Sequence, residues 1–353
     1  MQAFAPEAVH RRLLDAARPA LAYRADRALA PQQRALEHKL TELLACPEAE
    51  ADLDLRIEHR RGRDGCTETR FLITSEPGAR VPCHLLVPDD APRPVPVFLC
   101  LQGHTSGMQL SLDRGDGETL GERAFALQAI SRGYAALAIE IRGFGERRDR
   151  RAPLLCDPGH DPHSLDPNVT CKHAAMVALL LGRTSLGEKI LDARRALDAL
   201  ARFPEVDGTR IYAIGNSGGG TLAWYAACIE PRLKGLILGS CFATYASSIG
   251  SVDHCCDNYL PEALRWFDFP DLALLVAPRP LAVVMGRDDR LFPLAGVEAA
   301  YARARAIYAR LDEGDRCRFV FCEGGHRFYA DEAWAGFDEV MGGRQRALCH
   351  GLG

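Results

Sequence analysis

The spacing of apolar positions changes character twice along the chain. In residues 6–45, leucines at 36, 40, 43 and 44 share one helical face and prolines at 19 and 31 interrupt the pattern, which predicts a helical extension over residues 1–50. Runs at 53–60, 68–74 and 81–87 alternate apolar and polar residues and predict leading, partly antiparallel strands. Pro82 falls in the third run; lacking an N–H, it is better tolerated at a sheet edge or strand start. Beyond residue 95, short apolar runs alternate with longer segments of helical period. Helices are predicted near 118–132, 185–203, 218–229, 294–312 and 331–341. Such a βα rhythm packs helices on the faces of a mostly parallel sheet.

The punctuation between these elements carries the chemistry. Residues 215–219, Gly-Asn-Ser-Gly-Gly, follow the strand-like run 210–214 and precede the helix-like run 222–227, placing Ser217 in a sharp strand-to-helix turn. Glycines two before and one after the serine leave the turn room to bend, as a nucleophile elbow requires. A glycine-rich turn before a helix can also cradle a phosphate, so the surrounding chain decides. A strand at 281–285 runs into a polar loop with Asp288 and Asp289, closed by Pro293; a strand at 318–322 runs into Glu323, Gly324, Gly325 and His326. The order serine, aspartate, histidine is that of the α/β-hydrolase triad.

A serine hydroxyl is almost un-ionised at neutral pH and needs an adjacent base. His326 supplies it, and the aspartate orients the ring and stabilises the imidazolium. The oxyanion that forms needs N–H donors already in place. Gly218 N–H is one candidate donor. The second is His104 N–H, in the loop 102–107 after the strand 96–101; the plainer reading of that loop is a tight βα turn made possible by its glycines.

On these marks, together with Glu140-Ile141-Arg142-Gly143-Phe144-Gly145, Leu181 to Thr184, His254 to Pro261 and Ala277 to Pro280, residues 80–345 resemble the α/β-hydrolase superfamily. Within it, the chain is similar to the serine carboxylesterase branch of acetyl xylan esterase-like and dienelactone hydrolase-like proteins. The resemblance implies an α/β-hydrolase fold and puts the catalytic acid on Asp289, three residues after Gly286 and four before Pro293; Asp288 is the alternative if the loop shifts by one. Dienelactone hydrolases carry cysteine at the elbow, so Ser217 implies esterase chemistry rather than thiolate chemistry.

Composition adds limits. With 353 residues, 47% hydrophobic and 25% charged, the chain can bury one large core without a second catalytic domain. The hydrolase domain is expected over 51–345, with a tail at 346–353 and a cap-like insertion near 241–278 that carries Phe242, Tyr245, Tyr259, Trp266, Phe267 and Phe269. A net charge of −4 gives no basic field and argues against nucleic acid as a partner. The local basic run at 147–151 reads as a solvated loop or, with Arg142, as a reach toward an anionic substrate group. Neither a signal peptide nor a membrane span is visible, and thirteen cysteines without a zinc-finger spacing fit reduced thiols in the cytoplasm.

Cys156, His160, Asp161, His163, Cys171 and His173 crowd one excursion, but Pro158, Gly159 and Pro162 suggest an irregular loop and the spacings match no common zinc pattern. No metal and no cofactor are expected. The expected activity is a serine hydrolase cleaving small carboxylic esters through an acyl-enzyme on Ser217. Acetyl esters of carbohydrates enter through the resemblance alone. A lactone or thioester hydrolase with the same triad, a prolyl-oligopeptidase-like peptidase and a non-catalytic hydrolase-fold binding protein are the alternatives. The chain has no room for the peptidases' propeller, and a binding protein is expected to have lost a triad member. Nothing in the sequence indicates an oligomeric state.

Overall fold

The computed structural model describes residues 6–113, 121–148 and 167–349, and divides into two compact units. One comprises Ala45–Ala223 with Cys255–Asn258; the other comprises Met1–Leu44, Trp224–His254 and Tyr259–Gly353.

The first unit holds β1 (Arg56–Arg63), β2 (Cys66–Glu76), β3 (Ala79–Pro88), β4 (Val95–Leu101), β5 (Ala135–Ile139) and β6 (Val206–Asn216), in the spatial order β1-β2-β3-β5-β4-β6. The first three and β5 pair antiparallel, whereas β4 lies parallel to both β5 and β6. Every residue of β5 is buried, as are residues 97–101 of β4, which is why these central strands read as unbroken apolar runs. Pro82 is not at an edge, because β3 lies between β2 and β5. It sits one residue before the β5 ladder begins at Cys83, and its carbonyl accepts from Glu140 N at 2.9 Å. The missing N–H falls outside that ladder.

Helices Phe125–Ile130, Pro167–Leu180 and Ser185–Ala199 belong to this unit. Thr184 caps the last by accepting from Gly187 N at 2.9 Å. The irregular loop expected around Cys171 and His173 is instead the helix Pro167–Leu180. Proline suits a first helical position, where no intrahelical partner awaits its nitrogen, and the apolar residues at 174–180 continue the helix.

Arg142 and Arg147 do not reach outward. Arg142 Nε and Nη2 lie 2.7 and 2.9 Å from the Asp192 carboxylate, and Arg147 Nη1 lies 2.6 Å from it. Arg142 Nη1 also meets Glu76 at 2.7 Å. Burial alone would raise the Asp192 pKa, but the charges and hydrogen bonds of Arg147 and Arg142 hold it below its ordinary value. A carboxylate so depressed stabilises the fold above its unfolded pKa of about 4, and that contribution is lost as pH falls through the folded value. Asp192→Asn is expected to cost about 3 kcal/mol at pH 7. It should also flatten the acid side of the Tm against pH curve; a curve of unchanged shape would remove Asp192 from this role.

The second unit holds β7 (Leu233–Gly239), β8 (Leu281–Gly286) and β9 (Cys317–Cys322), in that order and parallel throughout. Helices Leu294–Ala309 and Ala330–Cys349 belong with them. The amino-terminal extension forms helices Pro6–Ala16 and Leu29–Leu44, and Leu36, Leu40 and Leu44 are buried. Pro31 does not interrupt the second of these helices, because it lies in its first turn. The extension is anchored by Tyr23 N to Asp271 Oδ1 at 3.0 Å, by Gln33 Nε2 to the Leu274 carbonyl at 3.0 Å, and by Lys39 over the Trp266 ring. Phe242, Tyr245, Phe267 and Phe269 are buried, with Phe242 and Phe269 packed on Trp224, so these aromatics of the 241–278 segment are core residues. Tyr259 is exposed. Among the described residues, no helix is long and apolar enough to cross a membrane.

Candidate active site

Ser217 stands between the end of β6 and the helix Gly218–Ile229 with φ +54°, in the left-handed region that a non-glycine residue adopts at a cost. The tight turn leaves no room beside it. A Cβ on Gly219 would lie 2.1 Å from the Leu101 carbonyl oxygen, so only glycine lets the helix start this close to β4. Gly218 opens the helix, where N–H groups lack intrahelical acceptors.

The loop after β4 packs against this turn. A Cβ on Gly103 would lie 2.7 Å from the Asn216 carbonyl oxygen and 3.1 Å from Ser217 Cβ. The His104 ring covers Gly218, with Cε1 and Nδ1 each 2.8 Å from the point a Gly218 Cβ would occupy. Thus Ser217, Gly218 and His104, three residues singled out in the sequence, are neighbours within one unit. Glu140, just past β5, fixes the loop: its carboxylate accepts from Met108 N at 2.9 Å and from Glu146 N at 3.2 Å. Gly145, at φ +47°, has no space for a side chain, since a Cβ would sit 2.0 Å from Glu140 Oε2. Burial raises the Glu140 pKa despite these amides.

In the other unit, His326 Nδ1 lies 2.8 Å from Asp289 Oδ2. The carboxylate can only accept, so Nδ1 carries the proton and the neutral ring keeps Nε2 as its acceptor. Asp289 is buried, and its Oδ1 accepts from Leu291 N at 2.9 Å and Phe292 N at 3.2 Å. Asp288 is exposed, and its backbone N–H is bonded to the Gly324 carbonyl. The structure therefore pairs His326 with Asp289.

Several supporting residues were not visible in the sequence. Phe292 stacks on the His326 ring, with centroids 5.9 Å apart and planes 12° from parallel. Ser240 Oγ donates to the Arg327 carbonyl at 2.9 Å, and Tyr329 OH donates to the Gly325 carbonyl at 2.8 Å; together they hold the histidine loop from both sides. His104 has its own hidden partners. Its Nε2 meets Asp257 Oδ1 at 3.0 Å, while Asp257 Oδ2 takes Lys189 Nζ at 2.6 Å. Burial would lower the His104 pKa, but hydrogen bonds to Asp257 and Cys255 push it up to about 9. Burial would raise Asp257, and Lys189 with His104 holds it well below the carboxylate range.

Of the crowded metal-type residues, Cys156, His160, Asp161 and His163 lie outside the described residues, as do Asp149, Arg150 and Arg151 of the basic run. His173 is exposed on its helix, and Cys171 is buried with its Sγ 3.0 Å from Cys255 Sγ.

Parallel strands flanked by helices, a positive-φ serine opening a helix after β6, and an aspartate–histidine pair on loops after β8 and β9 define an α/β-hydrolase. The chain belongs to the abhydrolase family, whose sequence profile matches residues 4–221, a span that includes Ser217 and the loop after β4. It is 28% identical over 281 residues to "Putative hydrolase YtaP" of Bacillus subtilis (strain 168), covering 77% of this chain and 85% of that one. Among solved structures it resembles a "putative acetyl xylan esterase" from Bacteroides fragilis NCTC 9343, with TM-score 0.74, 19% identity and coverage of 91% of this chain and 83% of the other. It also resembles a glucuronoyl esterase from Solibacter usitatus, with TM-score 0.62, 17% identity and coverage of 90% and 97%. At such identities the likeness to these structures is one of fold.

Proposed function

We propose that the protein is a serine esterase that cleaves small carboxylic esters through an acyl-enzyme on Ser217, with His326 as general base, Asp289 as its orienting carboxylate, and the N–H groups of Gly218 and His104 as oxyanion donors. The observation that carries the reading is the strained backbone of Ser217 at the strand–helix turn, a conformation that costs stability and presents one hydroxyl. The protonated Nδ1 of His326 leaves Nε2 to take the serine proton, which is the tautomer the first step needs. His326 Nε2 then returns that proton to the leaving alcohol. Water, deprotonated by the same nitrogen, releases the acid and restores Ser217.

The esterases among the structural relatives favour carbohydrate esters, acetyl esters first, as the substrate class. A reducing compartment such as the cytoplasm suits the eleven cysteines whose side chains are described, none of which is in a disulfide. A fluorophosphonate probe tests the nucleophile directly. Covalent labelling is expected on Ser217 in the peptide map, together with an initial burst of p-nitrophenol from p-nitrophenyl acetate. Folded protein inert to the probe would favour a binding role.

A further inference from the structure

We infer that His104, Cys171, Cys255 and Asp257 form a binding site for one structural zinc ion. The inference is independent of the esterase reading. The four side chains come from three separate stretches of chain: the loop after β4, the helix Pro167–Leu180, and the turn at residues 255–258. One ligand atom from each lies within 4.8 Å of all the others, with Cys171 and Asp257 buried and His104 and Cys255 half-buried. Chance seldom brings two sulfurs, an imidazole and a carboxylate together with so little between them.

The geometry is close to what zinc asks for. Bonds of about 2.3 Å to sulfur and about 2.0–2.2 Å to nitrogen and oxygen, arranged tetrahedrally, separate the donor atoms by about 3.3–3.8 Å. The observed pairs bracket that range. Cys171 Sγ to Cys255 Sγ and His104 Nε2 to Asp257 Oδ1 are both 3.0 Å, and no pair exceeds 4.8 Å. Side-chain adjustments of under about 1 Å would open the short pairs and close the long ones around an ion.

The donor chemistry and the charge also fit. Thiolate with imidazole selects zinc over magnesium or calcium, and a carboxylate completes the set. Two thiolates and one carboxylate against a dication leave a single negative charge, and Lys189 Nζ, 2.6 Å from the other oxygen of Asp257, offsets it. That ammonium also orients the ligating carboxylate from outside the first ring of atoms. Binding displaces the proton that His104 Nε2 shares with Asp257 Oδ1, deprotonates whichever thiols still carry protons, and releases all of these protons to solvent.

Four protein ligands close the coordination sphere, so the ion has no open position for a substrate oxygen and is structural. Its effect on the neighbouring chemistry would be positional. It ties the loop carrying His104, whose ring covers Gly218, to the helix 167–180 and the turn 255–258. No metal was expected from the spacing of Cys156 to His173; of the two described members of that group, Cys171 enters this cluster and His173 does not, and the partners of Cys171 lie far away in sequence.

The test uses full-length protein purified under reducing conditions, without a metal-affinity tag or chelator. Elemental analysis is expected to find about one zinc per chain, as a closed four-ligand site predicts. After chelation, Co²⁺ is expected to restore a thiolate-to-cobalt charge-transfer band in the near ultraviolet. Cys171→Ser and Cys255→Ser are each expected to weaken Zn²⁺ binding at least about 100-fold, while Cys256→Ser keeps wild-type affinity. Cys256 Sγ is bonded to the Lys172 carbonyl and takes no part in the cluster. Two results would overturn the inference: reduced protein that retains no metal and gives no cobalt band, or a Cys171–Cys255 disulfide in protein freshly isolated from cells.

Discussion

Ser217→Ala is expected to lower turnover of p-nitrophenyl acetate by about four to six orders of magnitude, while the far-ultraviolet circular dichroism and Tm stay near those of the parent protein. The size follows from the mechanism. Removing the nucleophile abolishes the acyl-enzyme route and leaves only what the oxyanion donors and substrate binding contribute to direct attack by water. The fold should tolerate the change because alanine is the smaller residue and the turn's backbone is held by Gly219 against the Leu101 carbonyl. Turnover within about tenfold of the parent would mean that another group attacks the ester, and the assignment of Ser217 would fall.

The second large effect separates two adjacent aspartates. Asp289→Asn is expected to reduce kcat by about four orders of magnitude, whereas Asp288→Asn should change it by less than about twofold. Asp289 is buried and accepts the His326 Nδ1–H while also accepting the N–H groups of Leu291 and Phe292. An asparagine there can keep the two backbone bonds only by turning its amide nitrogen toward the imidazole. A donor facing Nδ1 selects the opposite tautomer, with the proton on Nε2 where it cannot receive another from serine. Equal losses from both substitutions, or a larger loss from Asp288→Asn, would shift the acid by one residue.

Much of the fold was legible because its elements are written in local periods. The helix 218–229 matches its expected span, and β2, β3, β8 and β9 fall within a few residues of theirs. Where the reading fell short, context beyond the local pattern decided. Pro31 looked like a breaker but lies in a first turn; Pro82, read as suiting an edge or a strand start, lies in an interior strand one residue before its β5 ladder begins. Arg142 and Arg147 looked available to a substrate, yet Asp192, some 45 to 50 residues further on, takes both.

The candidate site divides in the same way. Ser217, His326 and the loop of His104 could be found because turn chemistry is local. The choice between Asp288 and Asp289 could not be made from spacing alone, since neighbouring side chains alternate in direction and only the fold says which one points inward. Phe292 against His326, Ser240 beneath the Arg327 carbonyl, and Lys189 behind Asp257 left no signal, because nothing near them in the chain announces the partner.

Glu140 has a practical consequence for anyone redesigning this scaffold. One carboxylate rivets the backbone at Met108 and at Glu146, so the segments that follow β4 and β5 behave as a single module. Transplanting residues 103–108 from another hydrolase without the matching 140–147 would strand a buried acid beside amides it no longer meets, and any side chain placed at 145 would collide with it. Loop grafts and mutagenesis libraries should therefore exchange the two segments as a matched pair.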